Sequence, residues 1–481
     1  MQISKASNLA AIFFVFSVLP IDSARSDDKK PITGGMPFME PAESGIVVRR
    51  IQLRPKQAIP SIGSKLFPTQ ERLHPGIAAP IFLRQNFEAS SRMKLLDELG
   101  QTNYPLLPLE QLDAAEIKRL TPLHFSELRR AAFRERAGWE YPMGEEPLAS
   151  ILLPDVQETR RYCKAIALRA RVDIQQGKLL DAMDKICIGM GLSKHVGEMP
   201  FIVCKLVQTA NMRQMLEVIE ELIQHPASEN VYWDIAGMPT PMIDTKPAIH
   251  LEASMWRKTI LELENLNSIR SVDDWNMLFA KWMLWAPNWR LFANEEPNQE
   301  ELFRDWMRIS RERLPMIWTN PDRPVESMCD SEVSIRYWYE RMQARNSQYL
   351  AWALLEFHVA IPNLLELTAQ HEKDPTDELP VKFSCQTPTP FVLAAARLQQ
   401  QIDLIRTIES IRDWSAKHAG ALPNSLEQLE LPAPLDCIVN KPFDYNLEKD
   451  GRWATLEGAV IEMPVKQSSQ KVGYRYELEL D

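Results

Sequence analysis

Apolar residues recur at three- and four-residue steps through most of this chain, and the clearest run lies between 155 and 225. Asp155 and Glu158 follow Pro154 as an acidic, capping-box-like start. Val156, Cys163, Ile166, Ala170 and Ile174 then keep helical spacing until Gly177-Lys178 interrupts them. Leu179, Leu180, Met183, Cys187 and Met190 make a second stripe, ended by Gly197 and Pro200. Phe201, Cys204, Val207, Met215, Ile219, Leu222 and Ile223 mark a third, stopped by His225-Pro226. The pattern predicts three consecutive antiparallel helices with short connections. Ala170, Gly177, Leu180 and Ala182 stand where a tetratricopeptide-type hairpin puts its small residues and turn. No second copy follows at a period of about 34 residues, so an array is not implied.

Weaker helical patterns surround this segment. Leu109–Leu120 and Leu123–Ala137 flank Thr121-Pro122, a cap followed by proline at the first helical position. Helices are predicted at 247–266, 271–286, 297–313 and 328–371. A long one at 390–419 is capped by Thr389, with Pro390 in its first turn, and Gly420 closes it. The last sixty or so residues change character. Aromatic and β-branched residues flank Asp450-Gly451, which predicts a hairpin, and Val472–Leu480 reads as a further strand. The expected fold is mainly α: antiparallel helical hairpins, one of them TPR-like, stacked into a helical domain, with a small C-terminal α+β hairpin module. The expected organisation is a signal peptide at 1–26, a Pro-rich, partly disordered leader at 27–90, a helical domain at 91–373, a linker at 374–389, and the long helix plus β module at 390–481.

The beginning of the chain reads as an export signal. Lys5 precedes the apolar run Leu9–Leu19, Pro20 breaks it, and Ala24-Arg25-Ser26 offers small residues for cleavage after Ser26. As a helix that run reaches only about 16 Å, short of the roughly 30 Å hydrocarbon core, so a signal is preferred to an anchor. The expected location is periplasmic or extracellular, and no later segment is apolar enough to span a membrane.

Charge and cysteine content narrow the function. The whole chain carries −10. Removing Lys5, Arg25 and Asp22 takes away a net +1, so the processed chain stands at −11. Such a chain repels nucleic acid, and no basic stripe with interleaved aromatics is present. Six cysteines (163, 187, 204, 329, 385 and 437) show no CxxC or Cys/His metal spacing. They read as small buried thiols, with a bridge among the first three left open because export permits disulfides.

Two stretches resemble a family of exported bacterial proteins of unassigned activity. One is about 160–250, containing "QQGKLLDAMDKICIGMGLSKHVGEMPFIVCKLV" and "ELIQHPASENVYWDIAGMPTPMIDTKPAI"; the other is 397–457. The resemblance implies fold and export. The second stretch is also similar to type II secretion pseudopilins after their membrane helix. Leu422-Pro423-Asn424-Ser425-Leu426 and Pro434-Leu435-Asp436 match their turn and loop. Cys437 stands where a second proline is expected, and Asn440-Lys441 where Gly-Lys or Gly-Gln is usual. About 390 residues precede the module here, where a pseudopilin has its prepilin helix.

Candidate chemistry is sparse. Asp436, Asn440 and Asp444 could supply oxygen ligands to calcium, although short polar residues in such a loop also serve as turn formers. Trp275, Trp282 and Trp285 fall near one helix face, either as a stacking platform for a ligand or as core. His195 is placed at a helix end, where a cation opposes the dipole. Adjacent carboxylates such as Glu145-Glu146, Asp273-Asp274 and Glu295-Glu296 do not face each other on a helix. No GxSxG, phosphate-binding loop or dinucleotide fingerprint occurs, and Gly189/Gly191 read as helix packing. No catalytic residue and no cofactor are assigned. The expectation is an exported helical protein that acts by binding an envelope or secreted protein. An exported hydrolase of polysaccharide or cell wall and a pseudopilin-related secretion accessory are the alternatives.

Overall fold

A computed structural model describes residues 40–41, 46–87, 90–142, 151, 153–269, 271–283, 299–373, 381, 387–465 and 468–480. The segment read as a signal, most of the span read as a linker, Trp285, Cys385, Glu145-Glu146 and Glu295-Glu296 lie outside the described residues. In chain order the strands are β1 (Glu40–Pro41), β2 (Ile46–Leu53), β3 (His74–Ile77), β4 (Arg134–Arg136), β5 (Asp444–Leu447), β6 (Trp453–Glu457), β7 (Ile461–Val465) and β8 (Ser468–Leu480). The helices begin with α1 (Ala79–Phe87), α2 (Ser90–Gly100), α3 (Ala114–Leu120), α4 (Phe125–Ala132), α5 (Pro154–Gln175), α6 (Leu179–Val196) and α7 (Ile202–Gln224). They continue with α8 (Tyr232–Ala236), α9 (Lys246–Thr259), α10 (Val272–Met283), α11 (Gln299–Ile317), α12 (Asp330–Ala353), α13 (Phe357–Lys373) and α14 (Thr389–Lys417). The protein is mainly helical with a small C-terminal strand module, the class read from the sequence. No described helix is long and apolar enough to cross a membrane.

The chain divides into two compact units. One is formed chiefly by Lys246–Pro390; the other draws on Asp27–Glu140, Leu153–Thr245 and Phe391–Asp481. The second unit is therefore assembled from three separated stretches, where the sequence suggests domains in series.

In this three-stretch unit α5, α6 and α7 pack on one another, as their stripes require. Cys163, Ile166, Ala170, Ile186, Met190, Met215 and Ile219 are fully buried. Gly177 has a φ of +70° in the α5–α6 turn, a backbone that favours glycine. Gly191 lets α6 approach α4: a Cβ there would sit 2.7 Å from the Ala132 carbonyl oxygen. The predicted helix Leu123–Ala137 is shorter than its pattern, ending at Ala132. Arg134–Arg136 pair instead with His74–Ile77 as β4 and β3.

Helix α14 lies at the centre of this unit, and its polar residues are buried as well as its apolar ones. Gln399, Gln400, Gln401, Glu409, Ser410, Arg412 and Asp413 are all nearly inaccessible. Burying such groups is tolerable only when each is hydrogen-bonded. Gln399 accepts from the Met242 N–H (2.9 Å), Glu409 from Val231 (2.6 Å) and Asp413 from Ala58 (2.8 Å). Arg412 donates to the Arg54 carbonyl at 2.9 Å and Ser410 to that of Leu431 at 2.5 Å. The helix thus ties down loops from all three stretches. It ends at Ala419 and Gly420, both with positive φ, where the Gly420 N–H returns to the Ser415 carbonyl.

The main sheet runs β1-β2-β8-β6-β5, with β7 also paired to β8. The predicted hairpin is β5–β6, with Gly451 at φ +68° in its turn. The segment read as leader contributes more than expected. Ile46–Leu53 pairs in parallel with Gly473–Leu480, and Ile51 and Leu53 are buried. Val472, Tyr474, Tyr476 and Leu478 alternate inward along β8 with the period of a half-buried strand. The opposite face carries cross-strand ion pairs, Arg50–Glu477 (2.8 Å) and Arg475–Glu457 (3.2 Å).

The other unit has an aromatic core. Trp256, Trp275, Trp282, Trp306, Tyr337 and Trp338 are buried together. Trp282 stands 5.4 Å from Trp338 and 6.2 Å from Trp306, ring centre to ring centre, within the range of favourable aromatic pairing. Arg336 lies over Trp275 at 4.9 Å and Trp318 at 4.7 Å, and is paired to buried Glu332. The span predicted as one helix, 328–371, is two helices broken at Leu354–Glu356.

Candidate functional site

The break at Leu354–Glu356 lays α13 beside α12 and opens a cleft between them. It has a volume of about 310 Å³. Helix α12 contributes Arg341, Ala344, Arg345 and Gln348, spaced by three and four residues on one face. Leu367, Gln370 and His371 come from α13, and Val381 completes the lining. A His371 ring nitrogen, Nε2, lies 3.1 Å from the Gln348 side-chain oxygen. The His371 ring also packs at 5.4 Å against Tyr349, and Arg345 lies over the same ring at 5.8 Å. Tyr349 is buried, and its hydroxyl has no hydrogen-bond partner there.

Two guanidinium groups, an imidazole and two carboxamides over a floor of Ala344, Leu367 and Val381 make a polar, cationic recess. Arginine keeps its charge at any physiological pH and cannot act as a base, but its planar fork matches an oxyanion. Among the described residues the lining offers no carboxylate, thiol or hydroxyl to act as a nucleophile. What it can do is hold a negatively charged group while the apolar floor receives the attached carbon chain.

Comparison of the chain with family models, with curated proteins and with solved structures finds no match.

The residues singled out from the sequence have other surroundings. Trp275 and Trp282 are each 1% exposed, inside the aromatic core, so their faces are not available for stacking on a ligand. Trp285 lies outside the described residues. Asp436 is buried in its turn. Its Oδ1 accepts from the Ile438 N–H (2.9 Å), and its Oδ2 from Gln400 (2.8 Å) and Ala459 (2.7 Å). Asn440 takes the left-handed backbone of that turn, with φ +53°, and Asp444 stands exposed in β5 opposite Glu457. Asp436 therefore acts as a tie between the turn, α14 and Ala459. Among the described residues no group of three or more His, Cys, Asp or Glu is placed to hold a metal ion.

His195 is buried at the end of α6. Its Nε2 donates to the Ala131 carbonyl (3.1 Å) and its Nδ1 faces Glu198 (3.0 Å). Burial opposes ionisation of Glu198, yet His195 and the Ala137 N–H hold its carboxyl below the usual range. The pair fastens the helix end to the Ala131–Ala137 segment. Cys163, Cys187 and Cys204 are free buried thiols; burial pushes Cys163 and Cys204 up to about 12 and Cys187 to about 11. Cys329 and Cys437 are free as well.

Arg341, Arg345 and His371 are not among the sequence candidates. Their spacing is visible in "RMQARNSQ", but a single helix over 328–371 gives it nothing to face. Pro362 carries the one available signal. Its missing N–H disfavours an unbroken helix over 328–371, although Pro362 itself lies inside α13, six residues past the break.

Proposed function

We propose that this is an exported, non-enzymatic helical binding protein of the cell envelope, and that the Arg341–Arg345–His371 cleft takes a carboxylate of its protein partner. The observation that carries the reading is the lining itself. Two arginines four residues apart can grip one carboxylate with charge-assisted, two-pronged hydrogen bonds, worth more than neutral ones. Ala344, Leu367 and Val381 suit the methylene stem of an Asp or Glu side chain. Export rests on the signal-like segment at 1–26. The long helix, the Leu422–Leu426 turn and the aromatic hairpin support a C-terminal module of pseudopilin type, used here as part of the scaffold.

The test is fluorescence anisotropy of a labelled peptide rich in Asp and Glu, titrated with the full chain. Saturable binding is expected, weakening as salt is raised. Arg345→Gln or Arg341→Gln should each weaken it about tenfold, the loss of one charge-assisted pair. Equal affinity for a Gln/Asn peptide of the same length, or no effect of either variant, would refute the reading.

A further inference from the structure

One side chain in the cleft changes its charge near neutral pH. Arg341 and Arg345 stay cationic there, and Gln348 and Gln370 stay neutral, whereas a histidine gains a proton as the medium turns mildly acidic. His371 is therefore the member of the lining that can make the recess more or less attractive to an anion.

The surroundings decide which nitrogen takes that proton. Nε2 lies 3.1 Å from the Gln348 side-chain oxygen. A carboxamide oxygen accepts and does not donate, so Nε2 carries the hydrogen of the neutral ring. Nδ1 then holds a lone pair, which repels a carboxylate. Protonation turns the same nitrogen into an N–H donor and gives the ring a full positive charge. The ring is already placed for this change: it packs at 5.4 Å, centre to centre, against buried Tyr349, and Gln348 holds its Nε2 edge. Among the described residues, the charged and titratable groups around it are these. Arg341 and Arg345 of α12 line the same cleft, and Arg345 lies over the Tyr349 ring that His371 packs on. On α13, Glu372 and Lys373 follow His371 and are exposed, and Glu366 accepts from Gln370 at 3.1 Å. Val381 brings no charge. In the empty cleft the two guanidinium groups oppose a third positive charge; a carboxylate between them removes that opposition.

We propose that His371 is the pH-responsive element of this cleft, which takes its partner's carboxylate more tightly in a mildly acidic medium than in a mildly alkaline one. The proposal rests on the reading of the cleft as a carboxylate site. With the ring neutral, Arg341 and Arg345 alone supply charge. With the ring protonated, the cleft gains a third charge and one more charge-assisted hydrogen bond. The coupling is reciprocal: the factor by which the proton tightens peptide binding is the factor by which the peptide tightens proton binding.

The test is anisotropy of the labelled Asp/Glu peptide titrated with the full chain from pH 8 to pH 5.5 at one ionic strength. Carboxylates of the peptide, with ordinary values near 4, stay ionised over that range. Kd should fall about tenfold on acidification, the worth of one charge-assisted hydrogen bond. His371→Gln and His371→Asn should bind at pH 8 about as the parent does and show no such gain. A second readout is the proton resonance of the His371 ring carbon between the nitrogens, identified by its absence from the spectra of these variants. Its titration midpoint in the parent should rise by about one pH unit when the peptide is bound, the same tenfold factor seen from the proton's side. A Kd that does not change with pH, the same pH dependence in parent and His371→Gln, or a midpoint unmoved by bound peptide overturns this proposal. Binding that still weakens in Arg345→Gln would then leave the cleft standing as a carboxylate site. No peptide binding at any pH removes that reading and this proposal with it.

Discussion

Asp403 offers a sharp test of how α14 is buried, because its carboxyl is inside the protein with little to hold its charge. It is 7% exposed, and its one side-chain hydrogen bond comes from Gln399 at 3.1 Å. Burial pushes it up to about 7; Gln399 and Arg406 oppose this, while nearby Asp436 reinforces it. The unfolded chain has its ordinary carboxyl near 3.8. Between those two values the unfolded chain gives up its proton first, so stability falls as pH rises. The neutral carboxyl stabilises fully below about 4, and that contribution is lost as pH climbs through about 7. At about 1.36 kcal/mol per pH unit the gap amounts to something on the order of 4 kcal/mol. Asp403→Asn keeps an oxygen for Gln399 and cannot ionise. Urea unfolding of parent and variant at pH 4.5 and pH 8.5 isolates the effect, since other titrating groups cancel in the difference. The variant should be more stable than the parent at pH 8.5 by a few kcal/mol and lose that advantage at pH 4.5. An equal difference at both pH values would refute the burial argument.

Other expectations follow from the same packing. Arg49→Ala leaves Glu220 buried without its cation and should cost about 3–5 kcal/mol in denaturant unfolding. The alternate amides of Ile46–Leu53 that point at β8 should exchange with deuterium as slowly as those of Val472–Leu480, because the two strands share one ladder; fast exchange of every Ile46–Leu53 amide would contradict the pairing. Trp282→Ala should destabilise the aromatic unit by about 3–5 kcal/mol, seen as a lower midpoint in the near-ultraviolet dichroism transition. The Cys163 and Cys204 thiols should resist a disulfide reagent in the native protein and react within seconds once it is unfolded, since the thiolate is the reactive form.

How far the sequence reached depends on where each element finds its partners. Helices α5–α7 were legible because each buries a stripe against its neighbour, leaving three- and four-residue spacing in the chain. The hairpin β5–β6 was legible from Asp450-Gly451 for the same local reason. Strand β2 was not: Arg50 meets Glu477 across 427 residues, and eight residues of weak alternation carry little signal alone. The polar residues of α14 look like a solvent face in sequence. They are buried because loops from distant stretches bring backbone groups to them, as Ala58 does to Asp413. The tryptophans were legible as a cluster, with core and ligand platform both open, and burial of Trp275 and Trp282 favours core. The cleft was illegible because a turn without Gly or Pro at Leu354–Glu356 creates it.

Hydrogen–deuterium exchange of the full chain, with and without a saturating acidic peptide, tests most directly whether the cleft between α12 and α13 is where a partner is held. Slowed exchange confined to 341–348 and 367–371, and weaker in Arg341→Gln at a peptide concentration that just saturates the parent, is the expected result. Peptide-dependent protection that leaves those two segments unchanged would contradict it.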